Sequence, residues 1–243
     1  DLRFAGRDDV LRFFLGDVRD RTFDAFSGSF GMLIEARPGL LIGATAARAF
    51  RAPDVNELYS EGPHLASYIF EVGNPDLDVE IGTGLDLFVR LDRERIKAEI
   101  AAFRNSISGY VYPRDTGEVS RVQLPIFQFT GSDALMVGLE GSASIAWGGA
   151  WASQATVSYV RGTLTETDEP LPLIPPLNGR ADLTYETPAW FAGGEVRWSA
   201  RQDRLGDFET PTDGYAIWGL SAGYRRVLRG RLHTLTLRLD NLT

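Results

Sequence analysis

At 243 residues with no cysteine and a net charge of −8, the chain excludes a disulfide framework, thiolate metal sites and a cysteine nucleophile, and its acidic balance lacks the basic face that a nucleic-acid binder needs. A hydrophobic content of 44%, an aromatic content of 11% and 26 glycines favour strands joined by many turns over a helical bundle. No apolar run is long enough for a membrane-crossing helix, which leaves a β-barrel open, because a barrel strand needs only about ten alternating residues.

The N-terminus, Asp1 to Val10, has no basic start followed by an apolar core and does not read as a signal peptide; the chain is then either cytosolic or a segment of a longer precursor. Leu11 to Leu15 fits a strand, with an Asp/Arg turn after it. From Thr22 the alternation becomes regular. Phe26, Gly28, Phe30, Met32, Ile34 and Ala36 take one side, and Ser27, Ser29, Gly31, Leu33 and Glu35 take the other, the period-two pattern of a strand with two unlike faces. Arg37-Pro38-Gly39 breaks the pattern and Leu40 to Phe50 runs back. Asp78 to Leu91 places Leu85, Leu87, Val89 and Leu91 on one face; Asp92-Arg93-Glu94 then turns the chain into Arg95 to Tyr112. Ala134 to Trp147 is the cleanest strand, with Leu135, Val137, Leu139, Ala143 and Ile145 opposed to Met136, Glu140, Ser142 and Ser144, and Gly148-Gly149 leads into Ala150 to Gly162. Leu177 to Thr187, Gly194 to Arg204, Gly214 to Arg226 and Arg231 to Leu242 complete a predicted all-β antiparallel meander of about ten or eleven strands.

The connections alternate in length. Those near Pro38, Arg93, Gly148, Ala189 and Arg229 are short, whereas Arg51 to Asp76, Pro113 to Thr130, Leu164 to Asn178 and Leu205 to Asp213 are long. In a meander, successive connections fall at opposite ends, so one end carries tight turns and the other extended loops, as in outer-membrane barrels. Several strands are also longer than those of ordinary sheets. Their less apolar faces hold Glu140, Asp182, Glu195, Arg197 and Arg201, which a sandwich core would exclude and a polar lumen accepts. The reading is a transmembrane antiparallel β-barrel with these five residues facing the lumen. The alternatives are a soluble β-rich binding or structural domain and an outer-membrane barrel enzyme.

The residues then resemble a family. Phe50-Arg51-Ala52-Pro53, Glu57-Leu58-Tyr59, Gly62-Pro63-His64, Phe70-Glu71-Val72-Gly73-Asn74-Pro75, Gln202-Asp203, Glu209-Thr210-Pro211-Thr212-Asp213-Gly214-Tyr215 and Asp240-Asn241-Leu242-Thr243 occur in the order of the C-terminal barrel half of TonB-dependent outer-membrane receptors. Within that family they are most similar to the branch that includes zinc-uptake receptors. The resemblance implies about half of a 22-stranded barrel, an N-terminal plug through which the TonB complex is contacted, and energised import of a small ligand such as a metal ion or metal chelate. The expected setting is the outer membrane of a Gram-negative cell, with lipid outside the barrel. Residues 1–243 are expected to be a fragment without the plug domain or the terminal strand.

Only two histidines are present, so multi-histidine metal sites are excluded within the chain. His64 lies three residues after Glu61, a spacing that brings both to one side of a helical turn and makes the pair the candidate metal site. Tyr59 and Glu71, in the same long excursion, complete the candidate ligand-binding set. His233 lies near a short turn and is read as interfacial. Tryptophans beside short turns suit an aromatic girdle. No nucleophile elbow, phosphate loop or dinucleotide fingerprint appears, so no catalytic residue and no cofactor are expected.

Overall fold

The computed structural model describes residues 20–242, so the strand expected over Leu11 to Leu15 lies outside the described residues. Its strands are β1 (Gly28–Arg37), β2 (Leu40–Arg51), β3 (Glu61–His64), β4 (Ile69–Val72), β5 (Glu80–Asp92), β6 (Ile96–Val119), β7 (Pro125–Gly148), β8 (Trp151–Leu164), β9 (Asn178–Glu186), β10 (Trp190–Ser199), β11 (Tyr215–Leu228) and β12 (Arg231–Leu239), with one short helix, α1 (Val55–Tyr59). They form one 12-stranded sheet in the order β1-β2-β5-β6-β7-β8-β9-β10-β11-β12, with β3 and β4 as a hairpin off this path. Consecutive strands of the path pair antiparallel, as the alternation predicts.

The tight connections have the backbone geometry that two-residue hairpins require. In the β11–β12 turn Arg229 and Gly230 (φ 52 and 75) both adopt positive φ, which matches the turn to the twist of the strands it joins; at the β7–β8 turn, Gly149-Ala150, Gly149 (φ 62) does so, as does Gly148 (φ 97) where the register shifts at the end of β7. Along β7 and its neighbours the register places Leu139 beside Ala102 and Tyr159, and Gly141 beside Ile100 and Val157. Further on, Leu183 stands beside Gly194, Gly194 beside Leu220, and Leu220 beside Leu239. The same parity runs through Met32, Ala44, Leu87 and Ala102, so an apolar band crosses one face of the sheet from β1 to β12, with Arg48, Arg104 and Arg161 on that face beyond it toward the long-loop end. We call it the outer face.

Little of this surface is covered. The chain exposes 17075 Å², against about 10,800 Å² for a compact monomer of its mass, and Phe30, Leu85, Ile100, Leu183 and Leu237 all stand exposed. A single sheet with an unlike solvent on each face accounts for this. Trp151 packs on Tyr185 at 5.0 Å between ring centroids and Trp190 on Tyr224 at 4.5 Å, and these pairs lie on the outer face at the tight-turn end. Trp198 and Trp218, paired with Gly179 and Val196, mark the other end of the apolar band.

Three boundaries differ from the sequence reading. The first strand begins at Gly28 and not Thr22. The strand placed at Gly194 to Arg204 runs from Trp190 to Ser199. The long connection expected over Pro113 to Thr130 is mostly strand: β6 and β7 continue to Val119 and from Pro125, and Ser120 N–H donates to the Leu124 carbonyl across the short turn. Pro113, which has no N–H for a ladder, reads as a strand end, and a bulge lies just before it. The register shifts between Ile107 and Tyr110 around Gly109, whose φ is 69, and an extra residue reverses the alternation that the sequence pattern relies on.

Buried residues gather where the long loops meet this extended β6–β7 hairpin. Tyr112, Ala134, Leu164 and Leu171 form one cluster, and Leu58, Leu77 and Val111 form the other.

Candidate functional site

The excursion between β2 and β5 is held by a charged anchor. Arg51 ends β2 and donates to Glu57 at 2.7 Å and to Glu80 at 2.6 Å; Glu80 also accepts from the Val111 N–H at 2.6 Å. The hydrogen bond to Glu80, then that to Glu57, raises the Arg51 pKa above its ordinary value, so the guanidinium stays charged throughout. Pro53 follows, supplying no donor and forcing Ala52 into extended geometry, which ends the strand. Asp54 then caps α1: its side chain accepts from the Glu57 N–H, and Glu57 accepts from the Asp54 N–H, a reciprocal capping box. Leu58 is 5% exposed against Leu77 and Val111. Gly73 lies on the backbone of Leu58 and Tyr59, where any Cβ would collide.

The chain then forms the β3–β4 hairpin, and β4 adds to β7 in parallel, Phe70 opposite Ile126 through Val72 opposite Gln128. On this side of β7 the partner β8 has already ended, opposite Ala134, so β4 takes an otherwise open edge. The helix stops at Tyr59, so Glu61 and His64 sit in a strand. Their odd separation puts them on opposite faces, which corrects the expected Glu61/His64 pair on one side of a helical turn. His64 meets Glu71 instead. The two occupy diagonal positions on one hairpin face, with Nδ1 2.9 Å from Oε1. Gly62, on the same face and directly opposite Glu71, leaves open space where a side chain would be. His64 is half exposed, Glu61 is exposed, and Tyr59 is partly buried. Among the described residues, no group of three or more His, Asp or Glu has metal-binding proximity.

On the inner face the sequence-predicted charges divide. Asp182, Glu195 and Arg197 come together, as Glu195 is opposite Asp182 and next but one to Arg197. Glu195 is the hub, 2.7 Å from Arg197, 3.0 Å from Arg180 and 3.8 Å from Arg238. Arg238 also pairs with Asp240 at 2.9 Å. Arg180, Asp182, Glu195, Arg238 and Asp240 line a cavity of about 210 Å³ together with Thr184 and Ser221. The sequence reading missed Arg180 and Arg238, although Arg180 shares the parity of Asp182. Glu140 is exposed on the same face, beside Ala101 and Ser158 and away from the cluster. Arg201 lies past the end of β10, where Gln202 bonds the Ile174 carbonyl and bridges Thr212; it lines a cavity of about 230 Å³ between the loops after β8 and β10.

A family profile described as "TonB dependent receptor-like, beta-barrel" matches residues 2–242. Among solved structures, the chain is similar to "Copper transporter OprC" at 27% identity and a TM-score of 0.74, covering 89% of this chain and 33% of that one. It shares its fold with a variant of the ferric enterobactin receptor PfeA from Pseudomonas aeruginosa at 22% identity and a TM-score of 0.69, covering 89% and 35%. The same holds for the siderophore receptor PirA from Pseudomonas aeruginosa at 20% identity and a TM-score of 0.66, covering 89% and 38%. The chain thus spans about a third of the length of the solved structures it matches.

Proposed function

The chain belongs to the TonB-dependent receptor β-barrel family, a family of receptors and transporters and not of enzymes, and from this we propose that it forms part of the wall and mouth of an outer-membrane importer for a metal ion or metal chelate. The observation that carries the reading is the difference between the two ends of the sheet. Strands with an apolar band on the outer face and a charged inner face close through two-residue turns at one end and, at the other, through long packed loops around one hairpin, β6–β7, that reaches beyond its neighbours, the layout of barrels whose short turns face the periplasm. On this reading the β2–β5 excursion faces outward from the cell and captures the ligand.

Tyr59, Glu61, His64 and Glu71 are the proposed ligand contacts, while Glu140, Asp182, Glu195 and Arg197 face the lumen and Arg201 faces the mouth. With Nδ1 of His64 engaged by Glu71, Nε2 is the ring nitrogen left for a ligand, and the carboxylate orients the ring as it does for metal-bound histidines. The fit to a metal cargo rests on this one histidine with the Glu71 carboxylate beside it, and a pre-chelated metal needs no more ligands than that from the protein. The whole protein would pass the ligand inward with energy from the TonB complex, reached through a plug domain.

The test is uptake by cells that lack the full-length gene. Labelled copper and ferric catecholate are offered with and without a working TonB. Loss of uptake of one of them in both strains, restored by the gene only where TonB works, is the expected result. Uptake of every metal form unchanged by the deletion overturns the metal assignment.

A further inference from the structure

Charge on this acidic chain is segregated. From Gly214 to Leu239 there is no Asp or Glu, while Arg225, Arg226, Arg229, Arg231 and Arg238 all fall in that interval. Arg225 is accounted for: it pairs with Glu186 at 2.6 Å and stacks over Phe191 on the inner face. Arg226, Arg229 and Arg231 are exposed and make no ion pair among the described residues. Register places two of them. Arg226 is opposite His233, and Arg231 is opposite Leu228; both continue the outer-face column of Leu220, Ala222 and Tyr224 past the aromatic pair Trp190/Tyr224. No other tight turn is like this, since those at Asp92-Arg93-Glu94-Arg95 and at Glu35-Ala36-Arg37-Pro38-Gly39 are mixed in sign, that at Gly148-Gly149 is uncharged and that at Glu186-Thr187-Pro188-Ala189 carries an acid alone.

The same column leads into an apolar groove. Small residues Ala192, Gly194 and Ala222 form its floor, and Leu183, Leu237 and Trp151 are among its walls, enclosing about 490 Å³. Ala222 precedes Arg226 by four residues, so the basic residues begin about 13 Å along the strand from the groove floor. Groove, aromatic pair and guanidinium groups follow one another along the membrane normal in the order acyl chain, interface and phosphate.

We infer that the outer face of β9–β12 binds an anionic phospholipid of the leaflet at the tight-turn end, one acyl chain in the groove and the phosphate at Arg226, Arg231 and His233. Basic residues near a membrane surface favour anionic lipid by about 1 kcal/mol each, whereas an ordinary barrel wall takes any acyl chain. The inference rests on the membrane placement proposed above, and one experiment separates the two.

The full-length protein is exchanged in detergent into equal phosphatidylglycerol and phosphatidylethanolamine, and retained lipid is counted by native mass spectrometry. Preferential retention of phosphatidylglycerol is expected. It falls about thirtyfold in the Arg226→Gln/Arg231→Gln variant and returns in Arg226→Lys/Arg231→Lys, while the gel shift on heating shows all three folded. Equal retention of both lipids by the unaltered protein, or a preference unchanged in the glutamine variant, overturns the site and leaves the barrel reading standing. A protein that stays monomeric without detergent and retains neither lipid overturns both.

Discussion

His64 and Glu71 meet because a hairpin folds one back on the other, seven residues apart, and that contact is invisible to a spacing rule built for helices. Both residues were legible as candidates; their pairing was not, because it depends on where α1 stops, and Ser60 is already extended. His64→Ala removes the oriented imidazole and leaves the hairpin ladder intact. It is expected to raise the half-saturating ligand concentration in uptake on the order of tenfold, the equivalent of one charge-assisted hydrogen bond of about 1.5 kcal/mol. Glu71→Gln is expected to follow it more weakly, since the ring keeps a neutral acceptor. A second residue-scale device repeats on the inner face: Phe88 lies over Gly43, Phe103 over Gly138 and Phe191 over Gly223, each pair directly opposite in register. The ring fills the place of the missing side chain, so a Cβ there collides with it. Gly138→Val is expected to cost about 1–3 kcal/mol through overpacking, read as a lower urea midpoint for loss of the folded gel band. Phe103→Ala in the same chain recovers part of that loss, and the recovery distinguishes the ring contact from a backbone effect.

At the scale of elements, the strands most legible in the sequence were those with uninterrupted alternation, β7 and β8 above all. The least legible was the upper half of the β6–β7 hairpin. Gly109 inverts the face pattern there, and Pro113, which has no N–H to give a ladder, reads as a strand end; the structure nonetheless pairs Pro113 with Phe129. The reach of this hairpin explains how the β2–β5 excursion is ordered: Val111 gives Leu58 and Leu77 an apolar seat, and β7 gives β4 an edge. Leu58→Ala leaves a cavity in that seat, at a cost of about 2–5 kcal/mol. The cost falls on the loop, because among the strands only β6 and β7 give this cluster apolar contacts, through Val111 and Phe129. The expected outcome is faster protease cleavage within residues 52–79 and weaker ligand capture, with the heat-dependent gel shift of the barrel unchanged. Loss of that shift instead makes the loop part of the barrel's own folding unit.

At the scale of the whole molecule, the apolar outer face and charged inner face were legible as two parities long before any partner was known, because period-two alternation is a local property. Closure is not. It depends on strands pairing with β1 and β12, and among the described residues each of those has one neighbour only. The edges are 10 and 9 residues long, and β12 presents Leu232, Leu235, Leu237 and Leu239, all exposed. An open edge with these properties templates further pairing. Residues 1–243 expressed alone and refolded into detergent are therefore expected to give polydisperse, sheet-rich assemblies with no heat-dependent gel shift. Arg231 and Arg238 do not prevent this, because both lie among apolar neighbours along the strand and neither blocks the ladder. Lysine at Leu235 and Leu237, on the outer face of that edge, is expected to reduce assembly in detergent while lowering insertion into lipid, since a charge at mid-membrane costs about 2–4 kcal/mol on a barrel strand. A monodisperse, heat-modifiable product from residues 1–243 would instead show the sheet closing β1 onto β12, a ten-stranded barrel complete within the chain.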